Sequence, residues 1–365
     1  MSRKQVARTA ITIREVAREA GVSTATVSRV LSGHDDVVSE GLAERVRAVA
    51  NRLRYQPNRA ARSLRAQKNN LVGVVLPGPL DSFFSGVLEG IDRWLQDHDH
   101  ALVLAHSQDN PARHRICIER FVAQGASGII VATPSTLSHL PAGFPLATID
   151  CERSPEEGDT IGVNDFDGAQ LGIAHLLKLG HRRIGLVAGP AGIPTTSQRL
   201  QGCLAALKKA GLPLREHLLV HAPLSHEGGF HAATRLAEQP KAERPTAVFV
   251  MHDKLMQGVL RLLRDRHIEI PRDLALVGFG DSPWMAEHAP RLTVIAQPSR
   301  ELGRMAAQSI LLRIETPSRP SNHLLLDAEL VIRESCGAMA PGPLSIESSI
   351  YHSAVVLPGT KTKSE

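Results

Sequence analysis

Residues 12–33 read TIREVAREAGVSTATVSRVLSG, and their periodicity decides how the chain begins. Thr12-Ile13-Arg14-Glu15 has the S/T-x-x-E form of a capping box, after which Ile13, Val16, Ala17 and Ala20 recur on one face of a short helix. Gly21 ends it. Ser23 offers a hydroxyl cap to a second helix, in which Val27, Val30 and Leu31 form the buried stripe while Thr24, Ala25, Thr26, Ser28 and Arg29 lie on or near the opposite side. Gly33 stops this helix, and a third amphipathic run, Leu42, Val46, Val49 and Leu53, closes a small core. Two short helices joined by a glycine-containing turn predict a helix-turn-helix, whose second helix would enter a DNA major groove. Its exposed residues are small or hydrogen-bonding, which permits close approach, and Arg29 is long enough to reach a guanine edge or a phosphate.

Charge agrees with that reading. The net charge of the 365 residues is +5, but residues 1–70 hold 14 Lys/Arg against 6 Asp/Glu, and the remainder is slightly acidic. A basic end on a near-neutral body suits nucleic-acid binding, because cationic side chains displace counterions from phosphates. A solvated basic tail would share the charge but not the helical periodicity. With 42% apolar residues the chain can bury a substantial core, and no apolar run approaches the roughly 20 residues a membrane-spanning helix needs. The first residues lack the apolar centre of a secretory signal, and Cys117, Cys151, Cys203 and Cys336 lie far apart with no C-x-x-C pair, so a cytoplasmic protein with reduced thiols is expected.

Beyond a polar linker at Gln67–Asn70, short apolar runs alternate with amphipathic stretches. Strands are expected at Leu71–Leu76, Ala101–Ala105, Gly128–Ala132, Pro145–Ile149, Ile184–Ala188, Ala247–Met251 and Ala275–Phe279. Helices are expected at Phe84–Asp97, Ala112–Ala123, Gly168–Leu179, Ser197–Ala210, Gly228–Glu238, Lys254–Arg266 and Arg300–Ile314. Alternation of this kind predicts parallel sheets covered by helices, and so many units predict two lobes with a ligand cleft at the carboxyl ends of the strands.

Residues 12–33, followed by Val38-Ser39-Glu40, resemble the DNA-binding domain of the lactose/galactose repressor (LacI/GalR) family. Tyr55-Gln-Pro-Asn-Arg-Ala-Ala-Arg-Ser-Leu-Arg65 resembles the family's hinge, which folds into a helix on operator DNA. Pro57 and Asn58 can start such a helix, while Arg59, Arg62 and Arg65 repel one another until phosphates neutralise them. The resemblance implies that Asn58 and Arg62 contact DNA and that Leu64 is an apolar wedge in the minor groove. The body resembles the family's periplasmic-binding-protein-like effector domain, with landmarks at 163–169, 179–185, 245–249 and 292–298. The expected organisation is an all-α helix-turn-helix domain at 1–57, a hinge and linker at 58–70, a two-lobed α/β effector and dimerisation domain at 71–336, and a disordered tail at 337–365.

The resemblance places Phe83 and Phe84, Asp150 and Arg199 in the effector pocket. Two departures bear on the ligand. His252-Asp253 stands where the family usually has Asn-Asp, and Gly278-Phe279-Gly280-Asp281 where it has Gly-Phe/Tyr-Asp. His252 and Asp281 complete the expected pocket set. Gly280 removes a carboxylate and His252 adds a donor, so a sugar acid such as gluconate is the first expectation, with a neutral sugar second and a nucleobase third. No cofactor or metal is expected: Gly189-Pro-Ala-Gly192 lacks the lysine of a phosphate loop, and His226-Glu227 with His231 misses the H-E-x-x-H spacing by one residue. The function implied is an allosteric, sequence-specific repressor, homodimeric on near-palindromic operator DNA, with no membrane partner. The rival is an α/β enzyme with an appended DNA-binding domain, which turnover of a bound metabolite would reveal. Pro341, Pro343 and Pro358 leave no sustained heptad pattern after 336 that would build a tetramer.

Overall fold

The capping box at Thr12 forms: the Glu15 carboxylate accepts from the Thr12 backbone N–H at 2.7 Å and from its hydroxyl at 2.9 Å. In this computed structural model the described residues are 11–31, 38–55, 69–78, 81–108, 110–132, 140–141, 143–150 and 158–338. They divide into two units, one up to Asn69 and one from Asn70 onward. The first unit holds α1 (Ile13–Ala20), α2 (Thr24–Leu31) and α3 (Glu40–Arg52). Gly21 terminates α1 in the left-handed region at φ 67°, and the Ser23 hydroxyl accepts from the Thr26 N–H at 3.1 Å to start α2. Val16, Val27 and Val46, one from each helix, are fully buried at the centre of the three-helix core. The buried stripe of α3 is Ala43, Val46, Val49 and Ala50, with Leu42 only half-buried.

In the second unit, continuous apolar runs such as Leu71–Leu76 and Ile184–Ala188 become strands buried on both faces, as parallel strands between helix layers must be. One lobe contains β1 (Leu71–Leu76), α4 (Ser82–Asp97), β2 (Ala101–His106), α5 (Pro111–Ala123), β3 (Gly128–Val131), β4 (Leu146–Ile149) and β5 (Asp159–Val163). The chain then builds the second lobe from α6 (Asp165–Lys178), β6 (Ile184–Ala188), α7 (Pro194–Lys209), β7 (Leu219–His221), α8 (His226–Ala237), β8 (Ala247–Val250), α9 (Asp253–Asp265), β9 (Ala275–Phe279), α10 (Pro283–Glu287) and β10 (Thr293–Ala296). It returns for α11 (Ser299–Glu315) and β11 (His323–Leu326), and crosses again to end on β12 (Glu329–Val331). The strand orders are β11-β5-β4-β3-β1-β2 and β12-β10-β9-β8-β6-β7, all parallel except β12, which runs antiparallel to β10.

Every expected strand and helix of the body is present, with ends shifted by at most three residues. Five strands, β5, β7, β10, β11 and β12, were not anticipated. Helix α11 is sequence-distant from the first lobe yet belongs to it. A β-carbon on Gly90 would lie 2.0 Å from the Arg300 carbonyl oxygen, and one on Gly303 2.0 Å from that of Val87, so glycine on both helices lets α4 and α11 touch backbone to backbone. Gly337 and Ala338 are described, Ala338 packing on the core, and the rest of the expected tail lies outside the described residues.

Candidate functional site

Helix α2 turns a polar face to solvent. Ser23, Thr24, Ala25 and Arg29 are exposed and Thr26 and Ser28 half-buried, while Val27 and Val30 anchor the opposite side. The Ser23 and Thr26 hydroxyls lie 2.9 Å apart at the helix start, so both are positioned by the cap that also orders the first turn. The helix carries no acidic residue, and among the described residues Arg29 has no ion-pair partner. Asn58, Arg62 and Leu64 lie outside the described residues.

Between the lobes lies a cavity of about 250 Å³. The first lobe supplies Phe83 and Phe84 from the opening turn of α4, where Asp81 caps the helix by accepting the Phe84 N–H at 2.9 Å. Their rings meet edge to face at 5.1 Å. Asp150 follows β4 with φ 55°, a left-handed conformation uncommon for a non-glycine residue, which turns its carboxylate to the cavity. From the second lobe comes Arg199, 4% exposed, projecting from α7. Its Nε donates to Asp165 at 2.7 Å and its Nη1 to the Met251 carbonyl at 2.6 Å, while the guanidinium lies over the Phe279 ring at 3.9 Å.

The electrostatics are those of a partly compensated acid cluster. Burial, reinforced by the neighbouring Asp165 charge, pushes the Asp150 carboxyl up to about 7, against the pull of Arg199 and of the Val163 N–H. Asp165 is raised as well, since burial outweighs the attraction of Arg199. Asp253 behaves oppositely: burial favours its neutral form, but His252, with Nδ1 at 3.0 Å, and Lys254 hold it below the ordinary value.

Residues 12–58 match the family description "Bacterial regulatory proteins, lacI family", and residues 173–336 match a periplasmic binding protein-like domain. The ribose operon repressor of Escherichia coli K12 is 31% identical over 332 residues, covering 89% of this chain and 99% of the relative. The chain belongs to the LacI family. Among solved structures, the lac repressor dimer bound to operator and the anti-inducer ONPF superposes with a TM-score of 0.81 at 26% identity, covering 90% of this chain and all of that one. A LacI-family regulator from Enterococcus faecium with bound ribose superposes at 0.66, with 28% identity over 73% of this chain and 98% of that one. This LacI-family member is a DNA-binding transcriptional repressor with an effector domain of the periplasmic-binding type.

Phe83, Phe84, Asp150, Arg199 and His252 are brought together on the one cavity. Asp281 does not line this cavity. Gly280 takes φ 98° and the following carboxylate is held bidentately by Arg333 at 2.9 and 2.7 Å, facing a separate groove. The cavity also takes in Asp81, Asp253, Lys254 and Gln297, which sequence reasoning missed. The only local signal for the first three was an Asp or Lys within two residues of a recognised position.

Proposed function

We propose that this repressor is a homodimer whose grip on a near-palindromic operator is set by a neutral sugar of monosaccharide size in the interlobe cavity. One observation carries the reading: Arg199, fixed by Asp165 and stacked on Phe279, shares the cavity with the Asp150 carboxyl and the Phe83–Phe84 pair. A sugar ring presents hydroxyls to the charged groups and C–H faces to aromatic rings, and a cavity of about 250 Å³ suits a single ring better than a drug-sized ligand.

The lining favours the second expectation, a neutral sugar, over the first, a sugar acid. The carboxylate that Gly280 lacks is matched by Asp253, whose β-carbon is 3.3 Å from where a Gly280 β-carbon would lie. Asp81, Asp150 and Asp253 all line the cavity, Arg199 is neutralised by Asp165 and Lys254 by Asp81. An incoming carboxylate would therefore meet acceptors and occupied cations, whereas hydroxyls can donate to those acceptors. Residues 58–70 are read as the hinge, with Asn58, Arg62 and Leu64 at the DNA and α2 supplying Ser23, Thr24, Ala25, Thr26, Ser28 and Arg29 to the major groove. No helix among the described residues is long and apolar enough to cross a membrane, in keeping with a regulator working on DNA in the cytoplasm.

Isothermal titration against neutral pentoses and hexoses and their aldonic acids tests the ligand class. Operator selection followed by fluorescence anisotropy with each hit tests the coupling. A neutral sugar is expected to bind and to change operator affinity, typically by about 5–150-fold. Tight binding of aldonic acids alone overturns the proposal, and so does an operator affinity that no bound sugar alters.

A further inference from the structure

We infer that Asp81 and Lys254 form a clasp that ties the two lobes together across the effector cavity and sets how readily the cleft closes. This rests on the cavity being the sugar site, and it adds a pair of positioning residues to it.

Asp81 stands at the start of α4 in the first lobe and Lys254 at the start of α9 in the second. The Lys254 Nζ is 3.2 Å from Asp81 Oδ2, while the other carboxylate oxygen accepts the Phe84 N–H at 2.9 Å. One carboxylate thus orients the aromatic turn of the cavity and grips the opposite lobe at the same time. The other ion pairs resolved among the described residues of the body, such as Arg300–Glu89, Arg199–Asp165 and Arg333–Asp281, each join groups of one lobe. Asp81 is 13% exposed and Lys254 32%, so the pair is screened less than a surface bridge. Both side chains line the sugar cavity and also the larger groove, of about 880 Å³, that carries Asp281 and Arg300, so the pair stands in the wall between the two spaces.

Three chain crossings, β5 to α6, β10 to α11 and β11 to β12, join the lobes covalently and remain in any open state. A reversible tie across the cavity acts differently. It raises the population of the closed form before any sugar arrives, and the apparent affinity of a ligand that needs that form scales with its population. Lys254 therefore strengthens sugar binding without having to touch the sugar, and each clasp residue should matter only while the other is present.

The test is a double-mutant cycle in the full-length protein using Lys254→Met, which keeps most of the aliphatic stem, and Asp81→Asn, whose amide oxygen can still cap α4. Each single variant is expected to weaken sugar binding about tenfold, with the double variant no weaker than either single one. A contact made by Lys254 to the ligand alone would leave Asp81→Asn at wild-type affinity, and additive losses would mean two independent roles; either result overturns the clasp. A second readout needs no sugar. Lys254→Met should speed hydrogen exchange several-fold in the peptide spanning residues 82–90, which lies on the other lobe, without lowering the unfolding temperature. Unchanged exchange there overturns the clasp even where no sugar binds, and accelerated exchange without any sugar binding would uphold it while refuting the ligand assignment.

Discussion

Two buried arginine–aspartate pairs in the body have the same chemistry and opposite surroundings. In the first lobe Asp159, 1% exposed, accepts from Arg313 Nη2 at 2.6 Å and Nε at 3.1 Å, from the Ser309 hydroxyl at 2.6 Å and from the Asn322 N–H at 2.9 Å. Arg313 spends its remaining donors on the carbonyls of Arg319 and Pro320, each at 3.1 Å. Burial would raise Asp159, yet these bonds hold it below the usual carboxylate range. In the second lobe Arg199 and Asp165 share one side-chain bond, face a cavity, and sit beside Asp150, so burial wins and both acids are raised. A buried ion pair that is fully hydrogen-bonded fastens α11 to the sheet. The other, with fewer bonds to its carboxylate, leaves that acid raised by burial beside the cavity.

The contrast is broken most severely by Arg313→Leu. It leaves the Asp159 charge without its main partner and frees the segment at 317–320, so a loss of about 3–5 kcal/mol is expected in urea unfolding. Loss below about 1 kcal/mol would mean that the network is decorative. Arg199→Met should cost less, about 2 kcal/mol, because burial already raises the Asp165 carboxyl, so loss of the guanidinium can be met in part by proton uptake rather than by a stranded charge. Sugar binding should vanish from the titration while the folded protein still binds operator. An Arg199 variant that unfolds as badly as the Arg313 variant would place both pairs in one structural class.

How far each pair could be read from the sequence follows from its geometry. The strands that carry the core, such as β1, β6 and β8, were legible as apolar runs because both their faces are buried. Strand β5 was not: it opens on Asp159, includes Gly162, and is held by a partner 154 residues away. The strands β7, β11 and β12 lie at sheet edges with only three or four residues each, most of them not fully buried, so no run marks them. In the site, Arg199 and the Phe83–Phe84 pair fell within family-like motifs. Asp281 is drawn to a separate groove by Arg333, 52 residues on, which no local pattern marks, and Asp81 and Lys254 acquire meaning only when the lobes face each other.

Asp150→Asn sharpens the comparison with the smallest effect and the most distinctive signature. Below about pH 4 the Asp150 carboxyl is protonated in folded and unfolded chains alike, so it makes no difference to stability. As pH rises from about 4 to about 7, the unfolded chain ionises this group while the folded cleft keeps it neutral, and stability is lost until the folded group also ionises. The asparagine variant escapes that loss but must still desolvate an amide. A net gain of about 1–2 kcal/mol is therefore expected at pH 8, shrinking as pH falls toward 5 in urea unfolding. Asp159→Asn should show the inverse, a penalty present at pH 8 that fades as acid protonates the wild-type carboxylate. The same Asp150 carboxyl accepts sugar hydroxyls best when ionised, so wild-type sugar affinity should fall as pH drops below about 7, and the asparagine variant should show weak binding with no such inflection. Two variants with matching pH profiles would erase the distinction between a carboxylate that fastens the fold and one held ready for a ligand.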